Sequence, residues 1–297
     1  MADLTRYPGS LERRRQAMGS DERVDLLRAP QAIGAVRYVN AGPIEQEIAQ
    51  LQALLDENNG RFSEAFISAP SPGIIAAGMQ NAYYDSLEEY VNALGEALQV
   101  EYAAIANAGF ILQIDAPDLA LERHTMFQDK PLAEFLEFVR MVVTAINKAL
   151  SGIPREQVRL HVCWGNYEGP HDVDVPLADI WPDVSQINAG AVMLSMANPR
   201  HAHEYRLFAD PSFLGPDRVL IPGVIDTTTN YVEHPEVVAD RIERIVQTVG
   251  DPRRIIAGTD CGFETAAGSK MVIEGVVWAK LRSLAEGAAI ASKRIFG

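Results

Sequence analysis

From about residue 61 onward, short apolar runs alternate with longer segments in which apolar residues recur every three or four positions. The short runs are typical of buried β-strands and the longer segments of amphipathic α-helices. Strands are predicted over residues 64–68, 109–115, 157–163, 189–195, 218–226 and 253–260. The clearest helices are predicted over residues 86–108, 131–150 and 234–249. Strict alternation of the two predicts parallel strands joined by right-handed crossovers.

Nearly every predicted strand ends in a polar or reactive side chain. In chain order these side chains are Ser68, Asp115, His161 with Cys163, Ser195, Asp226, and Asp260 with Cys261. A (β/α)8 barrel builds its active site from several strand ends, whereas a doubly wound sheet binds its ligand mainly in one crevice. Polar groups at six strand ends favour the barrel over the doubly wound sheet. No glycine-rich dinucleotide motif follows any of these strands, which also favours the barrel. The predicted fold is therefore α/β, a (β/α)8 TIM barrel.

The first 60 residues do not supply two obvious barrel strands. They contain two predicted helices, over residues 10–27 and 43–58, and a possible short strand over residues 35–40. We therefore expect irregular or incomplete N-terminal strands, or N-terminal residues that are missing. The predicted organisation is a single domain, in which residues 1–60 form a helical extension or an irregular start and residues 61–297 form the barrel.

Composition narrows the class of partner. The chain has 297 residues, of which 47% are hydrophobic and 22% charged, as in ordinary soluble proteins with a large core. The formal net charge of −14 argues against nucleic acid or an anionic membrane as a partner. No segment reads as a signal peptide or approaches the ~20 apolar residues of a membrane span. We expect a cytoplasmic enzyme acting on small molecules; a homo-oligomeric state is left open.

The only two cysteines, Cys163 and Cys261, lie at or just after the ends of predicted strands. Cys163 follows His161 at a spacing of two, which puts both side chains on one side of a strand. Imidazole and thiolate are ligands that zinc prefers. The alternatives are that both cysteines are small buried hydrophobes or that they form a disulfide, although nothing suggests an oxidising compartment.

Five separated motifs resemble the cobalamin-independent methionine synthase superfamily. Residues 161–170, His-Val-Cys-Trp-Gly-Asn-Tyr-Glu-Gly-Pro, resemble its zinc-binding strand, and residues 258–263, Gly-Thr-Asp-Cys-Gly-Phe, resemble a second zinc-binding stretch. Residues 113–120, 198–204 and 223–226 match further segments in the same order. The resemblance covers roughly residues 64–265. It is particularly close to the shorter, single-barrel members, which include the epoxyalkane:coenzyme M transferases.

The resemblance implies a catalytic Zn²⁺ held by His161, Cys163 and Cys261. It also implies transfer of a methyl or other alkyl group to a small-molecule thiol, from a methyl-folate or an epoxide. A thiol that enters the open coordination position loses its proton and becomes a nucleophile. A non-catalytic barrel that serves as a binding or scaffold protein is the alternative of another class.

Asp115 and Asp226 are the candidate catalytic residues, and Asp115 also lies in the family's thiol pocket. Asp115 could instead cap the next helix, and Asp226 could make local Asx-type hydrogen bonds with the threonines that follow it. Ser68, Asn166 and Ser195 are further candidates for substrate binding. Asn166 could equally shape a turn.

The chain departs from the family in three places. Ser195 stands where the family has a glutamate zinc ligand, so water, substrate or a neighbour such as Glu204 could complete the site. Glu204 is more simply placed on the following helix, facing solvent or an arginine. Residues 226–230 carry no histidine where methionine synthases have a proton donor, and the N-terminal strands that hold homocysteine are not found. His201 and His203 are expected to be polar surface rather than ligands.

Overall fold

Six parallel strands form the central sheet of the computed structural model, which describes residues 2–7, 9, 12, 30–263 and 272–297. Along the described chain the strands are β1 Gln31–Ala32, β2 Phe66–Pro70, β3 Gln80–Asn81, β4 Ile111–Asp115, β5 Val158–Val162, β6 Ala191–Leu194, β7 Val219–Ile225 and β8 Gly258–Thr259. The sheet order is β2-β4-β5-β6-β7-β8, and β1 pairs with β3 separately. Within the described ranges β2 and β8 do not pair with each other, so the sheet is an open, irregular form of the barrel. The α/β prediction is confirmed.

Helices surround the sheet between successive strands. They span Ala2–Arg6, Gly42–Glu57, Pro72–Gly78, Leu87–Asn107, Asp118–Leu121, Leu132–Ala149, Leu177–Val184, Pro211–Leu214, Pro235–Val249 and Glu274–Phe296. Short 3-10 helices span Glu122–His124, Arg155–Gln157, Glu204–Ala209 and Pro252–Arg254. Among the helices the structure describes, none is long and apolar enough to cross a membrane.

Strand alternation gives the sheet two different faces. In β2, Ile67 and Ala69 are buried against the helices, whereas Phe66 and Ser68 are exposed on the concave side. The helix Leu132–Ala149 helps to stabilise the convex side, because it carries a stripe of buried apolar side chains that includes Phe135. Each such large apolar side chain contributes about 1.5–3 kcal/mol on burial. The concave face is therefore free to carry polar side chains.

Register places the polar side chains of the concave face in rows. Ser68 pairs with Gln113, and Gln113 pairs with Arg159. Two residues further along the strands, Asp115 pairs with His161. The second row therefore lies closer to the carboxyl ends of the strands than the first.

Most predicted elements are confirmed. The helices predicted over residues 86–108, 131–150, 234–249 and 43–58 are all found within one residue of their predicted ends. The six predicted strands are present, but the last is reduced to Gly258–Thr259 and one bridge between Leu220 and Ile255, because its first residues lie in the 3-10 helix Pro252–Arg254. The helix predicted over residues 10–27 lies almost entirely outside the described residues.

The strand predicted over residues 35–40 is wrong. These residues form no strand, and the backbone N–H of Val36 donates to the hydroxyl of Tyr84 at 2.7 Å rather than to a neighbouring strand. The strand in this region is β1, which precedes the predicted one. The apolar run therefore predicted a strand that is not present, because the Tyr84 side chain rather than a neighbouring strand accepts the hydrogen bond from Val36.

Candidate active site

His161, Cys163 and Cys261 come together at the carboxyl ends of the strands. One ligand atom from each lies within 4.8 Å of the other two, and the three residues are 4%, 6% and 5% exposed. His161 lies on β5, Cys163 is the first residue after β5, and Cys261 lies shortly after β8. Both thiols are free, so the two cysteines do not form a disulfide.

The three side chains fit a zinc ion. Zinc holds sulfur at about 2.3 Å and nitrogen at about 2.0–2.1 Å, so ligand atoms on one tetrahedral ion lie about 3.3–3.8 Å apart. The observed grouping is compatible with that spacing. The Nδ1 atom of His161 is buried and makes no hydrogen bond within the part of the chain that the structure describes. An unpartnered buried nitrogen is costly unless a ligand satisfies it.

The two thiols are electrostatically unequal. A hydrogen bond from Cys261 lowers the pKa of Cys163 well below its usual range, against the effect of burial and with help from His161. The same shared hydrogen bond, together with burial, raises the pKa of Cys261. For His161, burial acts to lower the pKa, but the hydrogen bond and charge of Cys163 raise it overall. The shared hydrogen bond thus favours ionisation of Cys163 over ionisation of Cys261.

Ser195 lies beside this group, as the sequence comparison with the family expects of that position. Its Oγ is 3.7 Å from Cys261 Sγ and donates to the backbone carbonyl of Asp260 at 3.1 Å. A hydroxyl at this distance contacts the thiol without adding a charged ligand. Glu204, the alternative ligand, contacts His201 instead.

Asp260 anchors the loop that follows β6. Its carboxylate accepts hydrogen bonds from the backbone N–H groups of Met196, Ala197 and Asn198 at 2.8–2.9 Å, and from the Asn198 amide at 3.2 Å. Because Asp260 directly precedes Cys261, these bonds fix the Ser195 loop against the Cys261 loop. Burial raises the pKa of Asp260 to about 6.

Asn166 joins three loops. Its amide donates to the backbone carbonyl of Gly262 at 2.6 Å, and its oxygen accepts from the Thr227 hydroxyl at 2.7 Å. Asp226 accepts from the Thr228 N–H and from two threonine hydroxyls, which is the Asx-type bonding that the sequence left open. Asn166 and Asp226 both line a cavity of about 250 Å³ that reaches Cys261.

Asp115 points into a second cavity, of about 710 Å³, that contains all three candidate ligands. Its Oδ1 lies 3.9 Å from His161 Nε2, and its side chain is 49% exposed. Burial raises the pKa of Asp115 although the charge of His161 opposes the shift. The helix Asp118–Leu121 has no side-chain cap, so Asp115 does not cap it. Ser68 lines the same cavity and accepts from Gln113 at 3.0 Å.

A buried cluster around Asp174 lies against the smaller cavity. This cluster was not predicted from the sequence. Three imidazoles contact its carboxylate, His124 at 2.9 Å, His171 at 2.8 Å and His201 at 2.8 Å. His201 also contacts Glu204 at 3.0 Å. The sequence interpretations of His201 as polar surface and Glu204 as facing solvent or an arginine are therefore wrong. The spacing of three in His171-x-x-Asp174 and His201-x-x-Glu204 is a signal for each local pair, but not for the contact between the two pairs.

The cluster is held by hydrogen bonds rather than arranged as a second metal site. The 2.8 Å separations of His171 and His201 from Asp174 are shorter than the ~3.3 Å expected between N and O ligands of one tetrahedral ion. Each of these histidines also meets a second acceptor, Tyr167 O or Glu204. Burial acts to lower the pKa of both imidazoles, but their carboxylate hydrogen bonds raise it overall.

Two aromatic residues connect this cluster to the candidate metal ligands. Trp164 stacks on His201 with ring centroids 3.9 Å apart, and Tyr167 stacks on His171 at 4.3 Å. Both aromatic residues belong to the loop that begins at Cys163. The cluster is thus in position to fix that loop.

Residues 69–280 match the family described as "Cobalamin-independent synthase, Catalytic domain". Similar proteins named methionine synthase come from Thermococcus kodakarensis, 29% identical over 75% of this chain and 56% of that protein, and Saccharolobus solfataricus, 26% identical over 77% and 59%. The chain thus spans under three-fifths of the length of these curated relatives.

The fold agrees with that match. The structure of a B12-independent methionine synthase from Shewanella sp. W3-18-1, in complex with selenomethionine, superposes with a TM-score of 0.69. It is 19% identical, and the match covers 90% of this chain and 71% of that one. Since the family match extends over more than half of the sequence, the chain belongs to the family of cobalamin-independent synthase catalytic domains.

Proposed function

We propose that this chain is a zinc-dependent alkyltransferase that methylates a small-molecule thiol, as a methionine synthase does. The observation that carries the proposal is the grouping of His161, Cys163 and Cys261 within 4.8 Å, at the wall of a cavity of about 710 Å³. When bound, zinc would lower the pKa of a thiol so that it reacts as a thiolate at neutral pH.

The chain's own residues would hold and shape the site. Two thiolates offset the charge of the ion, so the site would be near neutral and a bound sulfur would stay electron-rich. The Asp260 hydrogen bonds would keep Cys261 in place while substrates exchange. Asp115, half-exposed beside His161, would bind a substrate amine or relay a proton.

The remaining assignments extend this proposal. We assign Asp226 to catalysis with Asp115, and Ser68, Asn166 and Ser195 to substrate binding, because all five line the two cavities that contain Cys261. We also keep the division at residue 60, a single domain and a cytoplasmic location as predictions.

Zinc analysis of purified protein is the direct test. We expect about one zinc per chain in the wild type and strong loss in His161→Ala and Cys261→Ser, because two ligands bind zinc far more weakly than three. His203→Ala is the matched control, since His203 is exposed and outside the site. Wild-type protein without zinc, or Cys261→Ser with undiminished zinc, would overturn the proposal.

Turnover assays separate the possible reactions. Homocysteine with methyltetrahydrofolate tests methyl transfer, and coenzyme M with an epoxide tests the epoxide alternative. The relatives named above are methionine synthases, which favours the first pair. A zinc-loaded protein that turns over neither pair would support the third alternative, a non-catalytic binding protein.

A further inference from the structure

Asp3, in the helix Ala2–Arg6, is a fully buried carboxylate that contacts the loop carrying Cys163. The Cys163 loop is the segment 163–176 that follows β5. Asp3 Oδ2 accepts a hydrogen bond from the Tyr167 hydroxyl at 2.5 Å and another from the backbone N–H of His171 at 3.2 Å. Burial of a carboxylate is costly unless hydrogen bonds of this kind offset it. The bond to Tyr167 joins residues that are 164 positions apart in the chain.

The Cys163 loop wraps around the ring of Tyr167, which is 3% exposed. A Cβ atom at Gly165 would lie 2.9 Å from Tyr167 Cε1, and one at Gly169 would lie 2.3 Å from Cε2. The backbone therefore passes close to both edges of the ring, where only glycine leaves enough room. Because Gly165 is two residues after Cys163, the position of the ring determines the path of the backbone beside the candidate ligand. Asp3 holds the hydroxyl end of that ring.

His171 gives the same loop an uncommon backbone conformation. Its φ is +53°, and it is the only residue other than glycine with a positive φ in the part of the chain that the structure describes. This left-handed conformation is unfavourable for a residue with a side chain, so neighbouring contacts must stabilise it. Asp3 binds the backbone N–H of His171, and Asp174 contacts its Nδ1 atom at 2.8 Å. Asp3 therefore fixes two residues that shape the loop.

A second attachment orients the helix that carries Asp3. Arg6 Nη1 lies 2.9 Å from Asp172 Oδ2, and the Tyr7 hydroxyl donates to the same oxygen at 3.2 Å. Arg6 is three residues after Asp3 and so lies on the same side of the helix. Its side chain is 57% exposed, and an exposed ion pair adds little stability, so the buried Asp3 is the main attachment. None of the residues 2–7 lines either cavity that contains Cys261, so the helix acts on the loop without touching the space for substrates.

We infer that Asp3 is a positioning residue of the candidate metal site. It fixes Tyr167 and His171, and through them the main chain at Cys163 and the wall of the cavity of about 250 Å³, which both residues line. The inference rests on the proposed function, because it takes Cys163 to be a zinc ligand. Without the carboxylate, the Tyr167 hydroxyl and the His171 N–H lose their acceptor, and the loop is free to leave the conformation that presents Cys163.

Hydrogen exchange and zinc affinity of the full chain test the inference together. In Asp3→Ala we expect amide exchange to accelerate about tenfold or more in residues 163–176 but not in the core helix Leu132–Ala149. Zinc affinity, measured by competition with a chromophoric chelator, should fall about 10-fold to 100-fold. Asp3→Asn keeps an oxygen that can accept both hydrogen bonds, so it should restore most of both properties. Unchanged loop exchange or unchanged zinc affinity in Asp3→Ala would overturn the inference. So would equal acceleration in the core helix, since Asp3 would then only stabilise the fold.

Tyr167→Phe tests the same contact from the other side, because it removes the hydroxyl that Asp3 binds. If the two residues act as a unit, the double variant should lose little more zinc affinity than Asp3→Ala alone, whereas losses that add in full would contradict the inference. Asp129→Ala is the control for the loss of an acidic side chain, since Asp129 is exposed and lines neither cavity. It should match the wild type in loop exchange and in zinc affinity.

Failure of the inference and failure of the proposed function give different results. If the wild type binds zinc and Asp3→Ala binds it equally well, only the inference fails. If the wild type binds no zinc, the proposed function fails, and exchange of the loop in the metal-free chain decides whether Asp3 positions it. If Asp3→Ala does not fold, Tyr167→Phe takes its place. Faster exchange confined to the loop then supports the inference, and unchanged exchange overturns it.

Discussion

The indole of Trp164 stacks on the imidazole of His201 at a centroid distance of 3.9 Å and an interplanar angle of 19°. Trp164 directly follows Cys163, and its Nε1 donates to the backbone carbonyl of Val175 at 2.7 Å. The indole ring is thus held by the imidazole on one face and by the hydrogen bond at its edge. The main chain at Cys163 is consequently fixed by a cluster that contains none of the three candidate metal ligands.

Removal of this stack should weaken zinc binding. We expect Trp164→Leu to lower zinc affinity by about 10-fold to 100-fold, the usual effect of losing a residue that orients a ligand. Trp164→Phe keeps a ring over His201 and should retain most of the affinity. Competition with a chromophoric chelator measures both. Trp278→Leu is the control, because Trp278 is 64% exposed on the last helix, and wild-type affinity in Trp164→Leu would contradict the role assigned to the stack.

Asp174 should be a major contributor to stability. It is the common carboxylate partner of His124, His171 and His201, and its own side chain is fully buried. Asp174→Asn leaves the buried His124 and His171 without a carboxylate partner, while His201 keeps Glu204, so we expect a loss of about 3–5 kcal/mol in the free energy of unfolding. Urea unfolding measures it, with Asp179→Asn on the surface as the control. A loss in Asp174→Asn no larger than in that control would show that the cluster does not stabilise the fold.

The same cluster should make stability depend on pH. Burial would raise the pKa of Asp174, but its three imidazole partners hold it well below the usual 3.8, while the pKa of His171 and His201 is raised above 6.5. The contribution of Asp174 is present above pH 3.8 and lost as pH falls through its lowered pKa. That of the histidines is complete below pH 6.5 and lost as pH rises through their raised pKa.

Unfolding free energies at about pH 6 and about pH 9 measure the histidine part of this dependence. The wild type should be less stable at the higher pH. Asp174→Asn should show a smaller difference between the two, because its histidines lose the partner that raises their pKa. An identical difference in both proteins would assign the pH dependence to other groups.

The closeness of His161 to Cys163 was predictable from strand alternation and that of Cys261 from the resemblance to the family, whereas the cluster that supports them was not predicted. Strand alternation alone places His161 and Cys163 on one side of β5, so their spacing carried the information. Asp174 receives imidazoles from His124 at the end of a 3-10 helix, from His171 in its own loop and from His201 in the loop after β6. No local spacing encodes that meeting, because it depends on how the loops pack over the sheet.

The short last strand of the sheet was also not predictable from the sequence. Residues 253–260 have the apolar composition of a strand, yet their pairing with β7 is limited to Gly258–Thr259 and one bridge at Ile255, with a register shift between Gly223 and Ile225. Apolar patterning predicts burial but does not predict a bulge.

Gly223 should tolerate no side chain. A Cβ at this position would lie 2.0 Å from Asp260 Oδ1 and 2.7 Å from Asp260 Cα, so the Cys261 loop would have to move. We expect Gly223→Ala to cost about 1–3 kcal/mol of stability and to lower zinc content. Gly275→Ala is the matched control, since nothing lies within 4 Å of its Cβ position. Full zinc occupancy in a stable Gly223→Ala protein would show that the loop can shift without losing the ligand.

Lys280 should anchor the last helix to the site. It is fully buried, and its Nζ donates to the Asp226 carbonyl at 3.0 Å and to Glu233 Oε2 at 2.9 Å. Glu233 in turn accepts from the Asp226 N–H at 2.9 Å, so the pair clamps the loop after β7 from both sides. Lys280→Met leaves a nearly buried carboxylate with its main partner gone, and we expect a loss of about 3–5 kcal/mol.

A second substitution distinguishes the cost of an unpaired charge from the loss of the clamp. In the double variant Lys280→Met with Glu233→Gln the buried carboxylate is neutral, and Arg241, 3.9 Å from Glu233, keeps its hydrogen bond to the Val224 carbonyl, so the free energy of unfolding in urea should recover part of the lost stability. Lys293→Met, exposed on the same helix, controls for the loss of a lysine. If the double variant is no more stable than Lys280→Met alone, the hydrogen bond from Lys280 to the Asp226 carbonyl rather than the ion pair fixes this loop, because that bond is lost in both.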